Sequence, residues 1–253
     1  LRRDADGMAT LTLNRPGARN ALSGELMTAL QRELDAIAGD AAVKVVVIAA
    51  SGAAFCAGHD LREMRATTSH AFYEQLFAQC SALMQAIVRL PKPVIARVHG
   101  PASASGCQLV ASCDLAVAAD EATFATPGIN IGLFCSTPMV ALSRNVGRKA
   151  AMEMLLLGEA VDAARAVEIG LINRAVPAAL LDRQVADMAR AIVGKSPYVL
   201  AIGKEAFYRQ LELPLGEAYE YASAVMAKNM LARDAAEGID AFLEKRKAAW
   251  RNC

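Results

Sequence analysis

Aromatic side chains are scarce in this chain: one Trp, five Tyr and seven Phe supply only 5% of 253 residues, while hydrophobic residues reach 55%. Whatever core forms is therefore aliphatic, and the mixture is that of a globular chain rather than a disordered one. Net charge is also nearly absent. Lys and Arg together number 27 against 26 Asp and Glu, so no overall field favours nucleic acid or an anionic membrane, and an anionic ligand has to be held locally. Cysteine pairs at metal-ligand or redox spacing are missing too. Cys56, Cys80, Cys107, Cys113, Cys135 and Cys253 form no C-x-x-C and no Cys/His cluster, which leaves free thiols in a reducing compartment as the simplest reading. No run of eighteen apolar residues occurs, and the N-terminus lacks a charged-then-apolar export pattern. The expectation is a soluble protein, neither secreted nor bound to a membrane or nucleic acid, without a resident metal. Repeats, low-complexity tracts and Ser/Gly linkers are lacking as well, so one continuous structural unit is expected.

What is present begins with alternation. Met8 to Asn14 reads as a strand, and Ser23 caps a helix from Gly24 to Ile37 with Leu26, Leu30, Leu34 and Ile37 along one face. Val43 to Ala50 is almost continuously β-branched, as in a strand buried on both faces of a helix-covered parallel sheet. Ala71 to Leu90 follows as a helix with an apolar stripe, stopped by Pro91 and Pro93. Val94 to Val98 is a strand, Ser105 to Ser112 a helix, and Leu115 to Ala118 a strand again. From Val140 onward the pattern is nearly all helical, ending in a segment read as one helix from Leu215 to Arg246. The spacing predicts an α/β class, with residues 1–195 as core and 196–253 as a helical tail that packs on a neighbouring copy.

Two loops place small residues between a buried strand and a following helix: Ser51 to Leu61 and His99 to Leu109. Backbone N–H groups at such helix starts have no partner within the helix. Set side by side, the N–H groups near His59 and Ser105 converge on one oxygen; in a studied enzyme, losing one such donor costs about 3–4 kcal/mol.

The residues that carry these loops resemble a known family. Asn14-Arg15-Pro16 with Asn20-Ala21-Leu22, then Phe55-Cys56-Ala57-Gly58-His59-Asp60-Leu61, then His99-Gly100 through Gly106-Cys107-Gln108-Leu109 with Ser112-Cys113-Asp114, are similar to the successive motifs of the crotonase, or enoyl-CoA hydratase/isomerase, superfamily. Phe124-Ala125-Thr126-Pro127, Gly132 and the ending Gly238 to Lys247 extend the similarity over the whole chain. The resemblance implies a ββα spiral core, a homotrimer or dimer of trimers, and no permanently bound cofactor. Coenzyme A thioester is the implied substrate, its carbonyl accepting from the N–H groups of His59 and Ser105. It further implies coenzyme A contacts at Ala57, Gly58, Asp60 and Leu61, with Lys245 and Lys247 at the phosphates, and an acyl pocket touching Gly128, Phe134 and Cys135. The location implied is the cytoplasm, or the mitochondrial matrix in a eukaryote.

The sequence departs from the family where chemistry is done. Hydratases similar to this chain use one glutamate in Gly-Cys-Glu-Leu and another in Pro-Glu-Ile, and here Gln108 and Gly128 stand instead. Neither transfers a proton at neutral pH. Positioned acid and base groups contribute about 10²–10⁴-fold, so the expectation is a lyase or isomerase of this family whose hydration is severely slowed. Gln108 keeps donor and acceptor capacity for orienting a water. Two alternatives stay open. One is a regulatory, non-catalytic thioester binder. The other is a decarboxylase or hydrolase using His59, whose Gly-His-Asp setting resembles that of methylmalonyl-CoA decarboxylase, although the matching tyrosine falls at Cys135.

Overall fold

The computed structural model describes all 253 residues. Its first turn explains its first strand. Asp6 and Gly7, both at positive φ (51° and 79°), form the two-residue turn that such a pair favours, folding β1 (Arg2–Ala5) back antiparallel on β2 (Met8–Leu13). The polar Arg-Arg-Asp-Ala stretch gives no strand signal of its own; the Asp-Gly pair that follows it does.

From β2 the main sheet is parallel. β3 (Val45–Ala50) pairs with β2, β4 (Val94–Val98) with β3, β6 (Leu115–Ala119) with β4, and β9 (Arg174–Val176) with β6. All six residues of β3 are buried. Val46, Ile48 and Ala50 belong to the large core cluster, whereas Val45 and Val47 belong to the smaller cluster on the other face, which is why this strand is apolar without alternation. The large face is covered by α1 (Gly24–Ala38), α3 (His70–Arg89) and α4 (Ser105–Ser112). The opposite face is covered by α8 (Ala178–Val193), through Leu181, Val185 and Ala189. Ser23 caps α1 by accepting from the Leu26 N–H at 3.2 Å. Leu30, Leu34 and Ile37 are buried as expected, and at the start of the stripe Met27 is buried while Leu26 is partly covered against the same core.

Between these elements lie β5 (Ala102–Ser103), β7 (Thr123–Ala125) and β8 (Val161–Asp162), which form a second, three-stranded sheet and, like helix α2 (Leu61–Ala66), are too short to leave a periodic signal; helices α5 (Pro138–Leu142), α6 (Arg148–Leu157) and α7 (Ala163–Glu168) fill the region read as nearly all helical. The tail is α9 (Pro197–Gln210), α10 (Leu215–Met230) and α11 (Arg233–Leu243).

The single helix expected from Leu215 to Arg246 is therefore two. No Gly or Pro marks the break at Leu231–Ala232; tertiary contacts do. Ala232 is extended (φ −71°, ψ 143°), and the turn delivers Asp234 to a buried position. There it accepts from the Ser196 hydroxyl and from the Arg251 and Asn252 N–H groups, folding the chain end back on the tail. Lys245 and Lys247 accordingly lie beyond the last helix rather than in it. No helix is long and apolar enough to cross a membrane, and no group of three His, Cys, Asp or Glu side chains is placed to hold a metal.

Candidate active site

The loop after β3 is held by the segment that precedes α1. Asn20, buried and itself at φ 55°, donates to the Ser51 and Ala54 carbonyls at 2.7 and 2.8 Å and accepts from the Arg15 N–H at 2.8 Å. Arg15 reaches the Ala21 carbonyl and the Asp60 carboxylate, at 2.6 and 3.1 Å. The Leu22 N–H donates to the Gly58 carbonyl at 2.8 Å, and the Asp60 N–H returns to the Leu22 carbonyl at 3.3 Å. These bonds fix the backbone on both sides of His59, yet the His59 N–H itself has no acceptor. Asn20 and Arg15 stand in the motif recognised in the sequence, but their role as clamps on this loop is visible only once the loop is folded against them.

The loop after β4 meets it directly. Ser103 N–H donates to the Cys56 carbonyl at 2.9 Å, and Phe55 and Cys56 donate to the Pro101 carbonyl. Glycine makes the approach possible: a Cβ on Gly106 would lie 2.2 Å from the Cys56 oxygen, and one on Gly58 would lie 2.9 Å from the Ala104 Cβ and 3.5 Å from the Ser105 nitrogen. Ala104, the residue before α4, sits at φ 49° and ψ −117°, a costly backbone for a residue with a Cβ. Its N–H is tied to the Ala125 carbonyl at 2.9 Å. This kink aims the Ser105 N–H, the first of α4, away from any main-chain acceptor, and it too donates to nothing in the chain. The structure thus brings Gly58, His59 and Ser105 together.

Side chains around this corner are equally unpaired. Both ring nitrogens of His59 are buried without a hydrogen-bond partner, as are the hydroxyls of Ser105 and Thr126. The His59 ring packs edge-on to Phe77 of α3, with centroids 5.5 Å apart. Burial pushes its pKa below the ordinary histidine value, and the Leu22 carbonyl, close to the ring but outside hydrogen-bonding geometry, opposes this more weakly. The imidazole is neutral at pH 7. One turn along α4, Gln108 is buried, its amide oxygen 4.0 Å from the Cys80 sulfur. Desolvation pushes the thiols of Cys56, Cys80 and Cys107 up to about 12, so they are protonated walls rather than nucleophiles.

Gly128 and Cys135 are also neighbours, but not as an open slot. A Cβ on Gly128 would lie 2.6 Å from the Leu133 carbonyl oxygen and 2.8 Å from the Cys135 sulfur. A glutamate there has no room unless both move. Cys135 is buried, Phe134 is 41% exposed, and Ala57 and Leu61 are exposed at the rim. Asp60 caps α2, accepting from Arg62 and Glu63 N–H, and its carboxyl lies below the usual range because Arg15 and those N–H groups outweigh desolvation. Lys245 and Lys247 are exposed and form no ion pair in the chain. A separate cleft of about 460 Å³ lies on the opposite face of the main sheet against α8, and its one arginine, Arg97, is already paired with Asp182 at 2.5 Å.

Fold and corner together define a class: an α/β protein in which two strand-to-helix loops touch and leave main-chain donors unpaired between them. Residues 3–252 match the family model described as Enoyl-CoA hydratase/isomerase. The chain is 46% identical over 250 residues to human enoyl-CoA hydratase domain-containing protein 3, mitochondrial, covering 98% of this chain and 82% of that one. It is 35% identical over 237 residues to 2,3-dehydroadipyl-CoA hydratase of Escherichia coli, covering 93% and 92%. Among solved structures, an enoyl-CoA hydratase of Mycobacterium smegmatis superposes with a TM-score of 0.97 at 57% identity over 99% of this chain and 98% of that one. The chain belongs to the enoyl-CoA hydratase/isomerase family and has the crotonase fold.

Proposed function

We propose that this protein binds acyl-coenzyme A thioesters and polarises the thioester carbonyl with the N–H groups of His59 and Ser105. The observation that carries this reading is that both donors, on loops in contact, lack any acceptor in the chain. Buried main-chain donors are rarely left unpaired. Donors already fixed in place stabilise negative charge developing on oxygen without reorganising, which is where catalysis of this type gains most. An enolate formed at the thioester would be held there, consistent with lyase or isomerase chemistry. Coenzyme A would run past Ala57, Gly58, Asp60 and Leu61, with its phosphates open to Lys245 and Lys247. Cytoplasm or mitochondrial matrix fits six free thiols and mitochondrial relatives.

Classical hydration is not the reaction we assign. Gln108 supplies no exchangeable acid, and the Cys135 and Leu133 contacts close the place where a second carboxylate would start. One experiment tests both halves of the proposal. Crotonyl-CoA is titrated into the protein by calorimetry and then followed for loss of its conjugated absorbance. Binding without efficient hydration is expected. Failure to bind ends the thioester reading, and rapid hydration ends the argument from the missing carboxylates.

The unpaired His59 ring favours a second reading, decarboxylation of a 2-carboxyacyl thioester. The bond from C2 to the carboxylate breaks, its electron pair enters the enolate held by the two N–H groups, carbon dioxide leaves, and C2 takes a proton from water. No carboxylate base is needed.

The tail offers an interface. Phe207, Leu215, Tyr219, Met226, Leu231 and Phe242 are all more than half exposed, more apolar area than a monomer usually leaves in water. We assign it to contacts between copies in a trimer or dimer of trimers, which light scattering at graded protein concentration would test.

A further inference from the structure

The corner that lacks carboxylates is not empty of polar groups, and those it holds are uncharged. His59 in its neutral form carries one N–H and one bare nitrogen, Ser105 and Thr126 each a hydroxyl that donates and accepts, and Gln108 an amide NH₂ that only donates. The first three have buried polar atoms with no partner, and Ser105 and Thr126 are completely inaccessible. An unpaired buried polar group costs about 1–3 kcal/mol, so a fold that keeps several in one place is built around something that pairs with them. They do lie in one place. Ser105 and Gln108 are three residues apart on α4, hence on one face. Thr126 follows Ala125, whose carbonyl holds the Ala104 N–H at 2.9 Å. Gly58, next to His59, packs on Ala104 and Ser105.

Orientation at Gln108 decides what this side presents. Its amide oxygen lies toward the Cys80 sulfur, and its amide nitrogen takes no part in any hydrogen bond within the protein. The protonated thiol donates its hydrogen to that oxygen, which leaves the NH₂ as the half of the amide free for a ligand.

Resting on the thioester reading above, we infer that Cys80 orients the Gln108 amide donor toward the acyl group, and that the site selects thioesters bearing a carbonyl-type oxygen acceptor on C3. Two sources share that chemistry, a 3-oxoacyl group and the carboxylate of a malonyl group. A saturated chain of the same length leaves the donors unpaired. An ionised acid at position 108, by contrast, would face the ligand as an acceptor only and repel a malonyl carboxylate.

The test uses the intact protein and three ligands, with dissociation constants from calorimetry: acetoacetyl-CoA, malonyl-CoA and butyryl-CoA. At least one acceptor-bearing thioester is expected to bind tenfold or more tightly than butyryl-CoA. If it is malonyl-CoA alone, the selected oxygen is a carboxylate; if acetoacetyl-CoA, a ketone. Butyryl-CoA binding as tightly as both overturns the inference and leaves the thioester reading standing, whereas no binding by any of the three ends the thioester reading and the inference with it. Cys80 is tested as a positioning residue through the same ratio. Cys80→Val, which keeps the volume and deletes the donor, should cut the selectivity severalfold. Cys80→Ser, which keeps a donor, should retain it. A ratio unchanged in Cys80→Val ends the orienting role whatever the variant's stability, and Gln108→Leu should lower the ratio at least as far as Cys80→Val does.

Discussion

Helix α4 has a buried polar cluster at each end, and the two are opposites. Beyond its C-terminus Asp114 is fully engaged: one carboxylate oxygen accepts from the Val94 N–H and from Lys204, both at 2.7 Å, and the other from the Tyr208 hydroxyl at 2.9 Å. Lys204 completes its own set with the Ile87 and Lys92 carbonyls. Burial pulls the Lys204 pKa down against the pull of Asp114, and pushes the Tyr208 hydroxyl up. Every group has a partner, so the cluster fastens α9 to the core and does nothing else. At the N-terminus of the same helix, His59, Ser105 and Thr126 have no partner in the chain. A closed network is structure; an open one is a request for a ligand.

The sharpest way to break the comparison is at the closed end. Lys204→Met removes the cation and leaves a largely buried carboxylate short of a partner, which should cost about 3–5 kcal/mol in urea unfolding. The double variant with Asp114→Asn should recover much of that loss, since no unpaired charge then remains. Thioester selectivity should not change in either protein.

Next in size is Gly106→Ala. The added methyl meets the Cys56 carbonyl, part of the backbone rather than a side chain that can swing aside. Overpacking of this kind costs about 1–3 kcal/mol, and because the strain falls between the two loops, thioester affinity should fall with stability. Thr126→Val is expected to act in the other direction. It replaces a completely buried, unpaired hydroxyl with a methyl of nearly equal size, so the ligand-free protein should gain about 1 kcal/mol while ligand selectivity weakens. A loss of stability in Thr126→Val would mean that the hydroxyl is paired after all and that the two ends of α4 do not differ.

How much of this was legible beforehand follows the same division. Buried strands and helices announce themselves because their residues share one environment: Val43 to Ala50 reads as a strand covered on both faces, two residues longer than the one that forms, and Ser105 to Ser112 begins and ends where the sequence puts it. Loops that touch over a distance leave no periodic trace. Position 128 reads as a lost carboxylate, but that Cys135 and Leu133 fill the space is a fact of packing. Asp114 reads as the end of the Ser112-Cys113-Asp114 motif; it accepts from the Val94 N–H, its side-chain partners Lys204 and Tyr208 are 90 and 94 positions away, and nothing local pairs them. The break at Leu231 likewise depends on where Asp234 finds its donors.

The smallest effect expected is a dependence on pH, and it isolates His59. Desolvation lowers the folded pKa of its ring below the ordinary value of 6.5. The unfolded chain therefore takes up a proton near pH 6.5, while the folded chain does so only at lower pH. Between those two points the unfolded state holds more protons, so stability rises with pH there and is lost as pH falls. Above pH 6.5 both states are neutral at this site and the full stability is present. Urea midpoints at pH 7.5 and 5.5 should show a decline on acidification that is smaller in His59→Phe, the difference between the two proteins isolating this site. Equal slopes would mean that the ring is already paired or reached by solvent in the folded state, and His59 would then lose its place among the open donors at the N-terminal end of α4.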